Sequence, residues 1–175
     1  MILTGSEISK QVKEGKIEIS PFDPKSVTTN SYDLSLGSKF IRYNEQVIDP
    51  RKKAKYSEFK VSKSEGITLV PGDFVLGHSQ EIFGSDFFVP IIHAKSGIAR
   101  MGLFVHVTAD LIDIGSHGNS TFQFFATLPV KIFPGMKIAQ VSFWVPKGKI
   151  ILYKGKYQSS MGPKPSMIYL DYQKK

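Results

Sequence analysis

Apolar residues in this chain recur mostly at every second position, in short runs broken by Gly, Pro and Asp. That period is the one of strands with a single buried face. Tyr32, Leu34 and Leu36 alternate with Ser31, Asp33 and Ser35. Phe74, Leu76 and His78 alternate after Pro71-Gly72-Asp73, so residues 66–76 predict strand, turn and strand. Val89 to His93 and Ile138 to Phe143 predict two more strands, and Leu128 to Gly135 a hairpin. Residues 108–123 read as strand, tight hairpin and strand, with backbone freedom at Gly115 and Gly118. On the way out, Ser120, Phe122 and Phe124 alternate with Thr121, Gln123 and Phe125.

One helix is predicted near the amino terminus. Thr4 and Glu7 have capping-box spacing, Ile8 and Val12 share a face, and Gly15 can end it. Ile17 to Ile19 is a short strand candidate. Residues 41–66 are polar and charged and predict an irregular excursion. Residues 154–166, rich in Gly, Lys, Ser and Pro, predict a flexible tail, and Met167 to Tyr172 a weak last strand. Many short strands punctuated by Gly and Pro make an all-β class. No repeat or linker divides the 175 residues, a length suited to one core.

Composition narrows the chemistry. The chain has no cysteine, which excludes thiol catalysis, disulfides and a cysteine-ligated zinc. The zinc-dependent route to nucleobase deamination is therefore closed to it. The 23 basic and 15 acidic residues give a net charge of +8. That excess is either a solvated basic face or the counterpart of an anionic partner such as a polyphosphate. Basic residues are scattered apart from Arg51-Lys52-Lys53 and Lys174-Lys175, and they are not interleaved with aromatics as nucleic-acid surfaces are. No apolar run approaches a membrane span and no signal-peptide core opens the chain, so a cytoplasmic protein is expected.

Several residues stand out for reactivity. Asp113 either caps its own turn or sits at the mouth of a hairpin whose arms can hold a flat ring. Asp33, inside an alternating strand, needs a partner if buried. In Ala94-Lys95-Ser96-Gly97-Ile98-Ala99-Arg100, a strand meets small residues and a helical turn, which exposes backbone N–H groups suited to phosphate. The same pattern also describes a plain strand-to-helix corner. His106 reads as a proton shuttle or a satisfied core histidine. His78 reads as an ordinary strand residue, and Phe83, Phe87 and Phe88 as core or interface aromatics.

Five ordered segments carry a family resemblance. They are Ser31-Tyr32-Asp33-Leu34-Ser35-Leu36-Gly37, the Ala94–Arg100 segment, the 108–123 hairpin, Pro134-Gly135-Met136-Lys137-Ile138-Ala139-Gln140, and Gly155-Lys156-Tyr157-Gln158 with Gly162-Pro163-Lys164-Pro165-Ser166. In this order the chain resembles the dCTP deaminase and dUTPase superfamily, with the dCTP deaminase branch nearer. The resemblance implies a distorted jelly-roll, or β-clip, with residues 1–153 as the β domain and 154–175 as a lid over the nucleotide. It implies a homotrimer with intersubunit sites for dUTP or dCTP. Thr108, Ala109, Asp110, Ile112 and Asp113 are implied around base and sugar. Lys95, Ser96, Arg100, Gln140, Lys156, Tyr157, Gln158 and Lys164 are implied at the phosphates. Mg²⁺ is implied on the triphosphate rather than on direct protein ligands, with Asp33 reaching it through water.

Departures from the family pattern matter. Relatives read Gly-Arg-Ser-Ser-Leu-Ala-Arg where this chain has Ala94 to Arg100, so Lys95 keeps a charge without bidentate geometry. Met161 stands where relatives often carry Arg. The deaminase carboxylate is implied ten residues after the hairpin Asp, and Gln123 occupies that position. An amide is neither acid nor base near neutral pH, although it can donate to a uracil carbonyl. The leading expectation is therefore hydrolysis of dUTP to dUMP and diphosphate, with Asp113 orienting the attacking water. The alternatives are dCTP deamination, with Asp110 replacing the missing Glu, and a non-catalytic nucleotide-binding regulator.

Overall fold

The computed structural model describes residues 1–106 and 108–173; the basic pair Lys174-Lys175 lies outside the described residues. The strands are β1 (Glu18–Ser20), β2 (Tyr32–Ser35), β3 (Lys39–Tyr43), β4 (Tyr56–Lys60), β5 (Ile67–Leu69), β6 (Phe74–Gly84), β7 (Val89–Ala94), β8 (Leu103–Phe104), β9 (His117–Ala126), β10 (Val130–Ile132) and β11 (Lys137–Trp144). Among the described residues, three short α-helices accompany them: α1 (Gly5–Lys13), α2 (Ser96–Ala99) and α3 (Tyr169–Gln173). The largest sheet runs β4-β3-β6-β9-β8, with β1 also paired to β6. A second sheet runs β2-β11-β7, and β5 pairs with β10. The mostly β class read from periodicity holds.

The core follows the alternation. Tyr32, Leu34 and Leu36 are fully buried, and so are Phe122 and Phe124 from β9 and Val141 and Phe143 from β11. They form one cluster between the large sheet and the β2-β11-β7 sheet. A bulge in β6 between His78 and Ile82 fastens the two. There the Ser79 hydroxyl donates to the Glu81 carbonyl (2.7 Å) and accepts from the Ser120 N–H (2.9 Å). The Glu81 carboxylate accepts from the Ser35 N–H (2.9 Å), and burial pushes its pKa up.

Several local expectations are corrected. Residues 41–66 are not wholly irregular: β3 and β4 pair from Lys39↔Lys60 to Tyr43↔Tyr56. This hairpin sits at the sheet's edge and β4 is largely exposed, so it lacks an alternating apolar face. The incoming arm of 108–123 forms no strand with β9. It runs beside β7 through the bridge Ile91↔Leu111, with the Ile92 N–H on the Asp110 carbonyl. The turns at 71–73 and 128–135 do connect strands, but those strands enter different sheets, since β5 pairs with β10. Met167 to Tyr172 does not extend as a strand; α3 begins at Tyr169. Thr4 occupies the helix N-cap position without a side-chain cap bond, and Glu7 bonds Gln11 instead. Gly15, at φ +70, ends the helix as expected.

Phe124 is fully buried at the centre of this packing. Phe124→Ala is expected to cost about 3–5 kcal/mol, read as a lower denaturation midpoint with an unchanged m value.

Candidate functional site

Strand β9 has two faces. Phe122, Phe124 and Ala126 point into the core, which leaves Thr121 and Gln123 on the other side. On that side a cavity of about 480 Å³ opens above β6 and β9. Thr121 and Gln123 line it with Phe74 and Leu76, and Leu76 is the cross-strand partner of Gln123. His106, Ala109 and Ile112 line it from the segment before β9, and Ser116 to Ser120 from the turn and first residues of β9. Tyr157, Ser160 and residues 164–166 line it from the tail.

The tail is bonded down along β9. Ser160 forms a parallel bridge with Gly118, and its carbonyl accepts from the Asn119 N–H (2.8 Å). Gly118 has φ +149, and a Cβ there would lie 2.7 Å from the Ser160 nitrogen, so glycine lets the two backbones meet. The Gly162 N–H donates to the Asn119 side chain (2.8 Å) and the Lys164 N–H to the Thr121 hydroxyl (2.9 Å). Gln158 reaches back to the turn: its amide donates to the Gly115 carbonyl (2.6 Å) and accepts from the His117 N–H (2.9 Å). Tyr157 accepts from the Met167 N–H (2.8 Å), and Tyr43 from the Ser166 N–H (2.8 Å).

Gln123 lines the cavity with an amide that is only partly paired. Its Nε2 donates to the Thr121 carbonyl (3.3 Å), and its Oε1 is buried without a partner. With one N–H on Thr121, the amide keeps a second N–H and an unpaired oxygen, so it can still donate as well as accept. His106 is only half satisfied. Its Nε2 meets the Ala109 carbonyl, while Nδ1 is buried and unpaired. Burial holds its pKa below the ordinary histidine value, against the pull of the Ala109 carbonyl and Asp110. Among the described residues, no Asp or Glu lines the cavity.

The other sequence candidates divide into two groups. Ala109, Ile112, Gln123, Tyr157 and Lys164 come together at the cavity. Thr108, Asp110 and Asp113 are exposed; Asp113 sits in the turn between the lining residues Ile112 and Ser116, and its carbonyl accepts from the Ser116 N–H (3.0 Å). Lys156 lies against Asp171 of α3 and over the Tyr157 ring, 5.9 Å from its centroid. Lys95, Ser96, Arg100 and Gln140 lie on the β7–α2 corner and β11, apart from the cavity wall. The Lys95 ammonium is 2.5 Å from the Asp33 carboxylate, and Lys137 is 3.9 Å from it. Asp33 is thus the paired core Asp of the plainer reading. Gln140 accepts from the Ser31 hydroxyl (3.2 Å). Among the described residues, no group of three His, Cys, Asp or Glu side chains could hold a metal ion.

Tyr43, Asn119, Ser160 and His117 at the site escaped sequence reasoning. His117 touches Glu18 and Asp86, which are 99 and 31 residues away along the chain. No local pattern marks such a contact.

Comparison with known proteins adds to this geometry. A family model described as dCTP deaminase-like matches residues 2–145. A protein of Clostridium beijerinckii named dCTP deaminase, dUMP-forming, is 37% identical over 99% of this chain and 100% of its own. A protein of Leptospira biflexa with the same name is 38% identical over all of both chains. The crystal structure of a 2′-deoxycytidine 5′-triphosphate deaminase from Agrobacterium tumefaciens shares the fold, with a TM-score of 0.66 at 21% identity. It covers 83% of this chain and 48% of that one.

The docked tail yields a test. Gln158→Ala removes both bonds to the turn, and tryptic cleavage after Lys154 and Lys156 is expected to rise about tenfold, equivalent to ~1.4 kcal/mol of lost closure.

Proposed function

The chain belongs to the dCTP deaminase-like family, and on that premise we propose that it binds a pyrimidine deoxynucleoside triphosphate and hydrolyses dUTP to dUMP and diphosphate. One observation carries this reading. The cavity has an amide at Gln123 and, among the described residues, no carboxylate on its wall. Replacing the C4 amine of cytosine by water needs a group that takes and redelivers protons at the ring. Asp110, the substitute considered from sequence, is exposed beside the lining residue Ala109, as Asp113 is beside Ile112, and neither lies on the wall at the ring.

Hydrolysis at the α-phosphorus makes no such demand on the ring. Water attacks phosphorus, the bond to the bridging oxygen breaks, and diphosphate leaves. Asp113, next to the lining residue Ile112, is the proposed acceptor of the water's proton and partner of the sugar's 3′-hydroxyl. Lys164 and Tyr157 stand on the tail side of the cavity for the phosphates. The described residues build no metal seat, so Mg²⁺ is proposed to arrive on the triphosphate as its counter-charge, and no protein step runs through it.

Ser96, Arg100 and Gln140 remain off the cavity wall of a single chain. Assembly as a homotrimer is proposed to bring these groups from one copy to the cavity of another. The exposed, stacked pair Phe104 and Phe125, with centroids 6.3 Å apart, supplies apolar surface for such contact.

A second reading draws on the same amide: it can hydrogen-bond a cytosine edge without exchanging protons with it, so dCTP is held and not turned over. The relatives' name couples dCTP deamination to dUMP formation; for this chain the deamination half is the alternative.

Incubation with dUTP and with dCTP, each with Mg²⁺, separates these readings. Diphosphate and dUMP from dUTP, with no ammonia from dCTP, is the expected outcome. Asp113→Asn should lower dUTP hydrolysis by about 10²–10⁴-fold, and Gln123→Glu should make ammonia appear from dCTP. Ammonia from dCTP with the unaltered chain overturns the proposal, and binding of both nucleotides without product establishes the regulator instead.

A further inference from the structure

His117 opens β9 and faces the cavity on one side. On its other side is a second pocket, lined by Lys16, Glu18, Asp86 and Phe87 among others. Its ring lies across β6. Glu18, Gly84 and His117 share one register row over β1, β6 and β9. A Cβ on Gly84 would fall 2.7 Å from the His117 Nδ1 and 2.8 Å from its Cγ, so only glycine leaves room for the ring. Through that gap Nδ1 reaches the Glu18 carboxylate at 2.7 Å, and Nε2 meets the Asp86 carboxylate at 3.0 Å.

Both partners are carboxylates, which only accept hydrogen bonds. A neutral imidazole has one N–H; an imidazolium has two. The two contacts can both be hydrogen bonds only when the ring is charged. Loss of the proton turns one of them into a lone pair facing a carboxylate oxygen.

The same residue holds the tail. Its N–H donates to Gln158 (2.9 Å), and its carbonyl accepts from the Ser159 N–H (2.9 Å). We propose that His117 is a protonation-dependent positioning residue: its imidazolium clamps β1 and the β6–β7 turn to the start of β9, and this clamp fixes the register on which the tail docks over the cavity.

The charged surroundings agree. Burial works against the charged ring, but Asp86 and Glu18 outweigh it and raise its pKa. Lys16 is the cation on the pocket side, and its ammonium is paired with Glu14 at 2.9 Å. On the cavity side the titratable neighbours are His106, Tyr43, Tyr157 and Lys164. The sign follows from a raised folded pKa. The clamp contributes fully below the unfolded histidine value of about 6.5 and is lost as pH rises through the folded value. The mouth of the cavity is thereby held closed below the ordinary histidine value and loosens as pH rises through the folded one.

The test uses the full-length chain. Imidazole resonances of the four histidines are followed by NMR from pH 5.5 to 9, with His117→Gln identifying one set. Hydrogen exchange of the Asn119, Ser159 and Gly162 amides is measured over the same range, relative to core amides of β6. The expected result is a His117 midpoint above the ordinary histidine value, with relative protection of the three amides falling at least fivefold across it. Glu18→Gln and Asp86→Asn should each lower that midpoint and move the loss of protection with it; both remain available if His117→Gln does not fold. A His117 midpoint at or below the ordinary value overturns the proposal. So does tail protection that is independent of pH, or a loss of protection that persists unchanged in His117→Gln.

Discussion

The structure depends on the two-residue period of β9. Its inward residues, Phe122 and Phe124, are fully buried, and this commits Thr121 and Gln123 to the opposite side. A slip of one residue would exchange the two sets, at the cost of two large aromatic side chains in the core. The register with β6, from Phe74↔Phe125 to Gly84↔His117, holds against that slip. The cavity floor is therefore a by-product of core packing, and the chemistry it offers is set by what Thr121 and Gln123 carry.

The tail completes the enclosure through backbone and amide contacts rather than through apolar burial. Asn119, Thr121 and Gln158 each bond across the seam, and Gly118 lets Ser160 approach. Such a seam is directional and strong where every group is paired, yet it is open to solvent along its length. This is consistent with a wall that a ligand or a change in protonation can shift.

Much of this was legible in the chain and part of it was not. The alternation of Ser120 to Phe125 identified the two faces of β9 because core burial imposes a local period. Tyr32, Leu34 and Leu36 were legible for the same reason. The β3–β4 hairpin was missed because its exposed face lets charged residues stand where a core strand would alternate. The tail looked flexible because Gly, Lys, Ser and Pro carry no apolar signal, while its anchors are hydrogen bonds to residues some forty positions earlier. Motif order identified the family; it could not say that the Gln123 amide bonds the Thr121 carbonyl two residues back. His117 left no local trace, although Gly84 is the residue that makes its contacts possible.

The cavity above β9, with Gln123 at its floor, is the proposed base-binding site. A crystal structure with a non-hydrolysable dUTP analogue tests it most directly. The uracil ring is expected within the cavity, hydrogen-bonded to the Gln123 amide, with its phosphates directed toward the α2 corner of a second copy. A ring bound elsewhere, with the cavity filled only by water, would contradict it.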